Sequence, residues 1–350
     1  KTVLDELTYE KLSEKQNNIS TRKYYSFSDI KKTRFKNDED YTLEFKEIFS
    51  NSVLNQMKLC DQDISFSLSG GLDSSSILCE AHELNQCRRL EKNLHAHSAL
   101  FGGLSKADFA LADESDFIDS VLQYKKINGS TVTVTNQGPL KNLKYFSKYT
   151  KQPIRSANYF VNTNIYKKLM QKNINHHFEG YDGDDIVSHG YERLREDAQN
   201  LNFYQMFKQD RLIRQRRGLD FSYLKAFRRY FVNSIINNSI KSKAKRMLGF
   251  KENHFKWLDF LNRDIASFKN YNDELKKIWG ENPYHFDNPK KAHLYSVSNS
   301  GKEYGIEMLN DLAAIYNVEI MLPFFDIRLI EYCLSLPSSQ KLNNGYDRYV

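Results

Sequence analysis

The stretch Ser69-Gly70-Gly71-Leu72-Asp73-Ser74-Ser75 follows an alternating apolar run, Ile64-Ser65-Phe66-Ser67-Leu68, and leads into Ile77, Leu78, Ala81 and Leu84 at helical spacing. The change of period from two to 3.6 predicts strand, tight turn, helix. Gly70 and Gly71 let the backbone turn sharply and approach a ligand closely. Amides at the helix N-terminus, the helix dipole and the hydroxyls of Ser69, Ser74 and Ser75 converge on one spot suited to phosphate oxygens. Asp73 fits such a spot if a cation bridges it to the phosphates. Magnesium, which binds through carboxylate, phosphate and water, is the natural choice. The stretch is not a Walker loop, because the GxxxxGK spacing and its lysine are missing.

Working outward, a second stretch occupies the same kind of position. Gly180-Tyr181-Asp182-Gly183-Asp184-Asp185 follows His176-His177-Phe178-Glu179, a strand candidate. Asp184 is placed to share the magnesium with Asp73 across the top of the sheet. Adjacent strand residues face opposite ways, so His176 and His177 do not chelate one ion; one reads as core and the other as surface. Before and between these stretches lie a helix at 40–58 (Tyr41, Phe45, Ile48, Phe49, Val53, Met57), strands at 94–101 and 131–134, and helices at 113–126 and 158–172. Strands alternating with helices predict an α/β fold with a parallel sheet and right-handed crossovers. Ligands in such sheets lie beyond the carboxyl ends of the strands, where both glycine-rich stretches fall.

Residues 1–39 read as a polar tail or linker, and 40–350 as one domain. Within it, about 196–290 reads as a helical insertion without strands, and Glu303 to Tyr316 as a helix of a C-terminal helical part. The chain has 350 residues, 40% apolar and 27% charged, with a net charge of +7. No run of eighteen apolar residues occurs, which excludes a membrane-spanning helix. Cys60, Cys79, Cys87 and Cys333 show no CxxC or CxxH spacing, so zinc sites and a disulfide framework are not expected and a reducing cytoplasm fits. Lys208 to Lys256 holds fourteen Lys/Arg against Asp210, Asp220 and Glu252. It is either a solvated helical face or a site for an acidic partner. Phe207, Tyr223, Phe227, Tyr230, Phe231 and Phe255, interleaved with the bases, read as helix core before they read as base-stacking platforms. Specific nucleic-acid binding is not expected.

In order along the chain come SGGLDSS, Asp113-Glu114, GYDGDD, Pro323-Phe324-Phe325-Asp326-Ile327-Arg328-Leu329 running to Leu336-Pro337, and Lys341-Leu342 with Gly345 and Arg348. Together these resemble the synthetase domain of the class B asparagine synthetase family over about residues 40–350. The resemblance implies an ATP-pyrophosphatase fold with a helical insertion and C-terminal helices. It implies that a substrate carboxylate is activated as an acyl-adenylate, that pyrophosphate leaves, and that an amine displaces AMP. It implies ATP and Mg2+ as cofactors: Ser69, Gly70, Gly71, Asp73, Ser74 and Ser75 on the pyrophosphate, Asp73 and Asp184 on magnesium, Gly180 beside the adenine and ribose. Arg328 and Arg348 lie in segments that the family brings over the phosphates, where a guanidinium grips phosphate oxygens and stabilises the departing pyrophosphate. For Arg328 the other reading is an ion pair with Asp326 or Glu331.

The chain also departs from the family. Asparagine synthetases carry an N-terminal glutaminase domain with a catalytic Cys, whereas residue 1 here is Lys. They have Glu where this chain has Tyr181. Offshoots of the family that close β-lactam rings have Tyr there, paired with a downstream Glu, yet no Glu stands between Glu196 and Glu252. Tyr181 is thus either a hydrogen-bonding catalytic residue or a packed aromatic. The run Gly305-Ile306-Glu307-Met308-Leu309 leading to Glu319, the PFFD segment and Arg328-Leu329 is most similar to lasso-peptide macrolactam cyclases. A peptide or small-molecule carboxylate and an amine are the expected substrates, with a leader-peptide-binding or protease partner. Asparagine synthetase and a tRNA-modifying adenylating enzyme are the alternatives.

Overall fold

Antiparallel strands β1 (Thr8–Leu12) and β2 (Ile19–Lys23) open the chain as a hairpin with Thr8 opposite Lys23. The computed structural model describes residues 8–12, 19–23, 25–101, 114–134, 138–154, 156–233 and 289–350. They fall into two units, one of residues 1–187, 296–336 and 350, the other of 188–295 and 337–349. In the stretch that reads as a polar tail or linker, the hairpin is regular structure and Phe27 is fully buried, while Tyr25 bonds Glu331 and the Thr33 amide bonds the Ser335 carbonyl at 3.0 Å.

The first unit holds helix α1 (Asp38–Leu59), β3 (Asp63–Ser67), α2 (Leu72–Arg88), β4 (Asn93–Phe101), α3 (Ser115–Lys125), β5 (Gly129–Val134), α4 (Leu143–Thr150), α5 (Tyr159–Gln171), β6 (His176–Phe178) and α6 (Gly183–Val187). After the second unit's main segment follow α7 (Ser300–Ala314), β7 (Glu319–Met321) and α8 (Ile327–Ser335). α1 begins with Asp38, Glu39 and Asp40 and ends near Lys58, charges that complement its dipole. The five strands β3 to β7 form one all-parallel sheet in the order β5-β4-β3-β6-β7. The order runs outward from β3 to β5, then reverses to β6 and β7. The reversal opens a crevice between the carboxyl ends of β3 and β6. Covered on both faces, β3 buries Ile64, Ser65 and Phe66 completely. Phe66 stacks on Phe178 of β6 with centroids 4.8 Å apart, and each such buried side chain contributes about 1.5–3 kcal/mol. Tyr166, Leu169, Met308 and Leu312 of α5 and α7 form one buried cluster with Ile320 of the strand β7.

A polar seam crosses this apolar sheet. His97 Nδ1 lies 2.9 Å from Ser65 Oγ, and Ser65 Oγ lies 2.7 Å from His177 Nδ1. His177 Nε2 is 3.1 Å from both Ser67 Oγ and Glu179 Oε1. His177 is the buried member of the histidine pair, and His176 lies between Asp61 and Glu319. Burial, helped by nearby His177 and lysines, pushes His97 down to about 3. The unfolded chain therefore takes up a proton near pH 6.5 that the native state refuses. Stability should fall as the pH drops below about 6.5, by up to roughly 1.4 kcal/mol per unit. Urea midpoints at pH 7 and pH 5 measure this, and His97→Gln should flatten the slope.

The second unit has helices Arg193–Gln199, Phe203–Arg216 and Tyr223–Phe227, a π-helical turn Arg228–Val232, and a two-stranded hairpin of Leu342–Asn343 with Tyr346–Asp347. Phe203 packs on Phe227 and Phe231, and Phe207 on Tyr223, so these aromatics contact one another, but the four phenylalanines are only half-buried and Tyr223 is exposed, which falls short of the helix core that their spacing predicts. Gly345, at φ +72°, allows the hairpin to touch Leu212, and its amide bonds Gln209 Oε1 at 2.9 Å. Of the basic residues, Arg214 pairs with Asp210 at 2.9 Å, Arg216 lies on the Tyr346 ring and Arg217 bonds Tyr191. Residues 234–256, with Phe255, lie outside the described residues, as does Asp113. Among the described residues, no helix is long and apolar enough to cross a membrane.

Candidate functional site

The Ser69–Ser75 loop sits where the sequence puts it, between the end of β3 and the start of α2. Gly70 adopts φ +82°, and a Cβ there would stand 2.9 Å from Phe117 Cβ and 3.2 Å from the Glu114 carbonyl. Only glycine meets both demands. Gly71 is the N-cap of α2 and supplies no side-chain cap. The positive end of the dipole of a seventeen-residue helix thus lies at the loop. The serines close the loop on itself. Ser69 Oγ and Ser74 Oγ are 3.1 Å apart, the Ser69 amide donates to Ser74 Oγ at 3.2 Å, and the Gly71 amide donates to Ser69 Oγ at 3.3 Å. Ser75 Oγ is enclosed and makes no hydrogen bond among the described residues.

The second stretch is pressed against this loop by two glycines. A Cβ on Gly180 would stand 2.7 Å from the Ser74 nitrogen and 2.9 Å from the Asp73 carbonyl carbon. A Cβ on Gly183 would stand 2.8 Å from Asp73 Cγ and 2.8 Å from a Phe324 ring carbon. The backbone of the second stretch therefore runs along the first turn of α2, and the Asp73 carboxyl borders the residue that precedes Asp184. This donor pair fits magnesium, which is commonly held by one or two carboxylates together with substrate phosphates. Among the described residues, no group of three or more His, Cys, Asp or Glu could hold a metal by itself.

The PFFD segment is the third wall. Its carbonyl at Pro323 accepts from Ser52 Oγ of α1 at 2.7 Å, which seats Phe324 on Gly183. Phe325 stacks on Tyr181 with centroids 6.2 Å apart. Gly305 of α7 leaves room for the Tyr181 hydroxyl, so the ring packs between Phe325 and α7. Asp326 caps α8 by accepting from the Arg328 amide and also takes the guanidinium, Nε at 2.9 Å and Nη2 at 2.5 Å. Burial works to raise the Asp326 carboxyl, but these bonds outweigh it and hold the group below the usual carboxylate range. Arg328 thus forms the ion pair that the sequence offered as its second reading. Arg348 follows the hairpin strand Tyr346–Asp347 in the other unit, whereas Ser69–Ser75, Gly180, Tyr181, Asp184 and Arg328 all belong to the first.

Lys302 was not legible as a site residue. It is buried on α7, with Nζ 2.8 Å from Asp182 Oδ2 and 2.5 Å from Asp185 Oδ2. Burial raises the Asp182 carboxyl, and Lys302 counters it.

The family model for asparagine synthase matches residues 44–350. The chain belongs to the asparagine synthase family. Membership makes it an enzyme of the ligase type that uses ATP, and the α/β fold with a parallel sheet is the one its sequence predicts. No curated protein matches the chain. Among solved structures it is similar to the U34-tRNA thiolase NcsA from Methanococcus maripaludis with its 4Fe-4S cluster. The identity is 14% over 77% of this chain and 80% of that one, with a TM-score of 0.30. A likeness that distant carries no argument about this asparagine synthase family member.

Proposed function

We propose that the chain catalyses ATP-dependent, AMP-forming amide-bond synthesis through an acyl-adenylate, closing a macrolactam in a peptide. The observation that carries the reading is the contact of Gly180 with Ser74 and of Gly183 with Asp73, which joins both loops at the sheet's crevice. A carboxylate oxygen attacks the α-phosphorus, and the bond to pyrophosphate breaks. The amine nitrogen then attacks the acyl carbon, the bond to AMP breaks, and the amine gives up its proton. Ser69, Gly70, Gly71, Ser74 and Ser75 bind and orient the pyrophosphate through backbone amides and hydroxyls. Asp73 and Asp184 would hold magnesium, which neutralises phosphate charge when bound.

The peptide-cyclase reading is supported by where the cyclase-like segments lie. Gly305, Phe324 and Phe325 are the residues that pack on Tyr181 and Gly183. The test is to incubate the chain with ATP, magnesium and peptides bearing a free N-terminus and an Asp or Glu side chain. A product that has lost one water and resists N-terminal labelling is expected. Formation of asparagine from L-aspartate and ammonia, with the peptides untouched, would replace the cyclase reading by asparagine synthesis.

A further inference from the structure

Asp182, Asp184 and Asp185 crowd three carboxylates into four residues at the start of α6, with the Asp73 carboxyl beside Gly183. Asp182 adopts φ +55° and is partly buried. Mutual repulsion would splay such a loop unless a cation balanced it. Lys302 is that cation. It is buried, comes from a distant helix, and bridges the two outer members of the trio. Gly305, one helical turn further along the same face of α7, lets the helix close on the Tyr181 hydroxyl. One face of α7 therefore contacts the loop at 181, 182 and 185.

We infer that Lys302 is a positioning residue that acts as a built-in counter-ion, matching Asp182 and Asp185 so that Asp184 is presented to magnesium and no second divalent ion enters the loop. The inference rests on the proposal that Asp73 and Asp184 hold magnesium. Without the ammonium, Asp182 and Asp185 form a dicarboxylate that a hard divalent cation would occupy.

Mn2+ binding, followed by electron paramagnetic resonance with α,β-methylene-ATP present, tests this without turnover. Lys302→Met should bind one more Mn2+ per chain than the wild type. Lys302→Arg should keep the wild-type stoichiometry. Lys302→Met with Asp185→Asn removes one charge of each sign, keeps the loop balanced if the single variant folds poorly, and should lose the extra ion. AMP release by Lys302→Met should fall on the order of 10–100-fold at limiting magnesium and recover as magnesium rises. An unchanged Mn2+ count in Lys302→Met, or a loss that neither magnesium nor the second substitution repairs, would overturn the inference. A wild-type chain that binds no Mn2+ with the nucleotide analogue would overturn the magnesium proposal beneath it.

Discussion

Asp73→Asn and Asp184→Asn should each lower AMP formation by about a hundredfold or more while leaving the far-ultraviolet dichroism and the urea midpoint close to wild type. The size follows from several kcal/mol of charge stabilisation at the phosphates, with each 1.36 kcal/mol worth tenfold in rate. Asp73 lies in the first turn of α2 and borders Gly183, and Asp184 is the next residue along. The bridges of Lys302 go to their neighbours Asp182 and Asp185. Asparagine keeps the shape and removes the charge, so the loss should be largest at low magnesium. A variant that works at near wild-type rate under limiting magnesium would show that its aspartate is not a ligand.

Gly180→Ala should be the most damaging small change in the site. Its methyl group would meet three backbone atoms of α2, the Ser74 nitrogen at 2.7 Å, the Asp73 carbonyl carbon at 2.9 Å and Ser74 Cα at 3.1 Å. Backbone cannot rotate away as a side chain can, so either the loops separate or α2 shifts. We expect a loss of about 1–3 kcal/mol in stability. A displacement near 1 Å of the phosphate-binding amides should cost on the order of a hundredfold in rate. Gly71→Ala is the contrast. Its φ of −73° suits any residue, and its Cβ would meet only the Ser69 hydroxyl at 3.3 Å. It should cost about 1 kcal/mol or less, chiefly from the poorer N-cap. Urea unfolding of the two variants side by side measures the difference, and equal stabilities would refute the close approach.

How much of this was legible depended on whether the signal was local. The alternation of Ile64 to Leu68, the glycine pair and the helical spacing after Ser75 are all local, and the strand, turn and helix lie where they predict. The order of strands and helices likewise gave the parallel sheet. β7 was missed because Glu319–Met321 is three residues long and merges with Leu322 and Pro323, leaving no period to detect. The hairpin at 8–23 lies in a polar stretch whose charged composition resembles a linker. The junction of the two loops was expected from their positions at strand ends. That Gly180 and Gly183 make it by direct contact is a property of residues about 110 positions away, to which no local pattern points. Lys302 is harder still. It stands in Asn299-Ser300-Gly301-Lys302-Glu303, which reads as a solvated helix start, and its carboxylate partner Asp185 is 117 residues upstream. Arg328 was legible in both of its readings: its motif points to phosphate, and the carboxylate two residues before it takes one edge of the guanidinium, through Nε and Nη2.

The central claim is that this asparagine synthase family member breaks ATP between the α and β phosphates to activate a carboxylate. ATP labelled with 32P at the α position reports that bond directly. Supplied with magnesium and either L-aspartate or a peptide bearing an Asp or Glu side chain, the chain should convert the label to AMP, in step with amide formed, and Asp73→Asn should not. Label accumulating as ADP in proportion to amide would contradict the account, because the carboxylate would then have been activated as an acyl-phosphate.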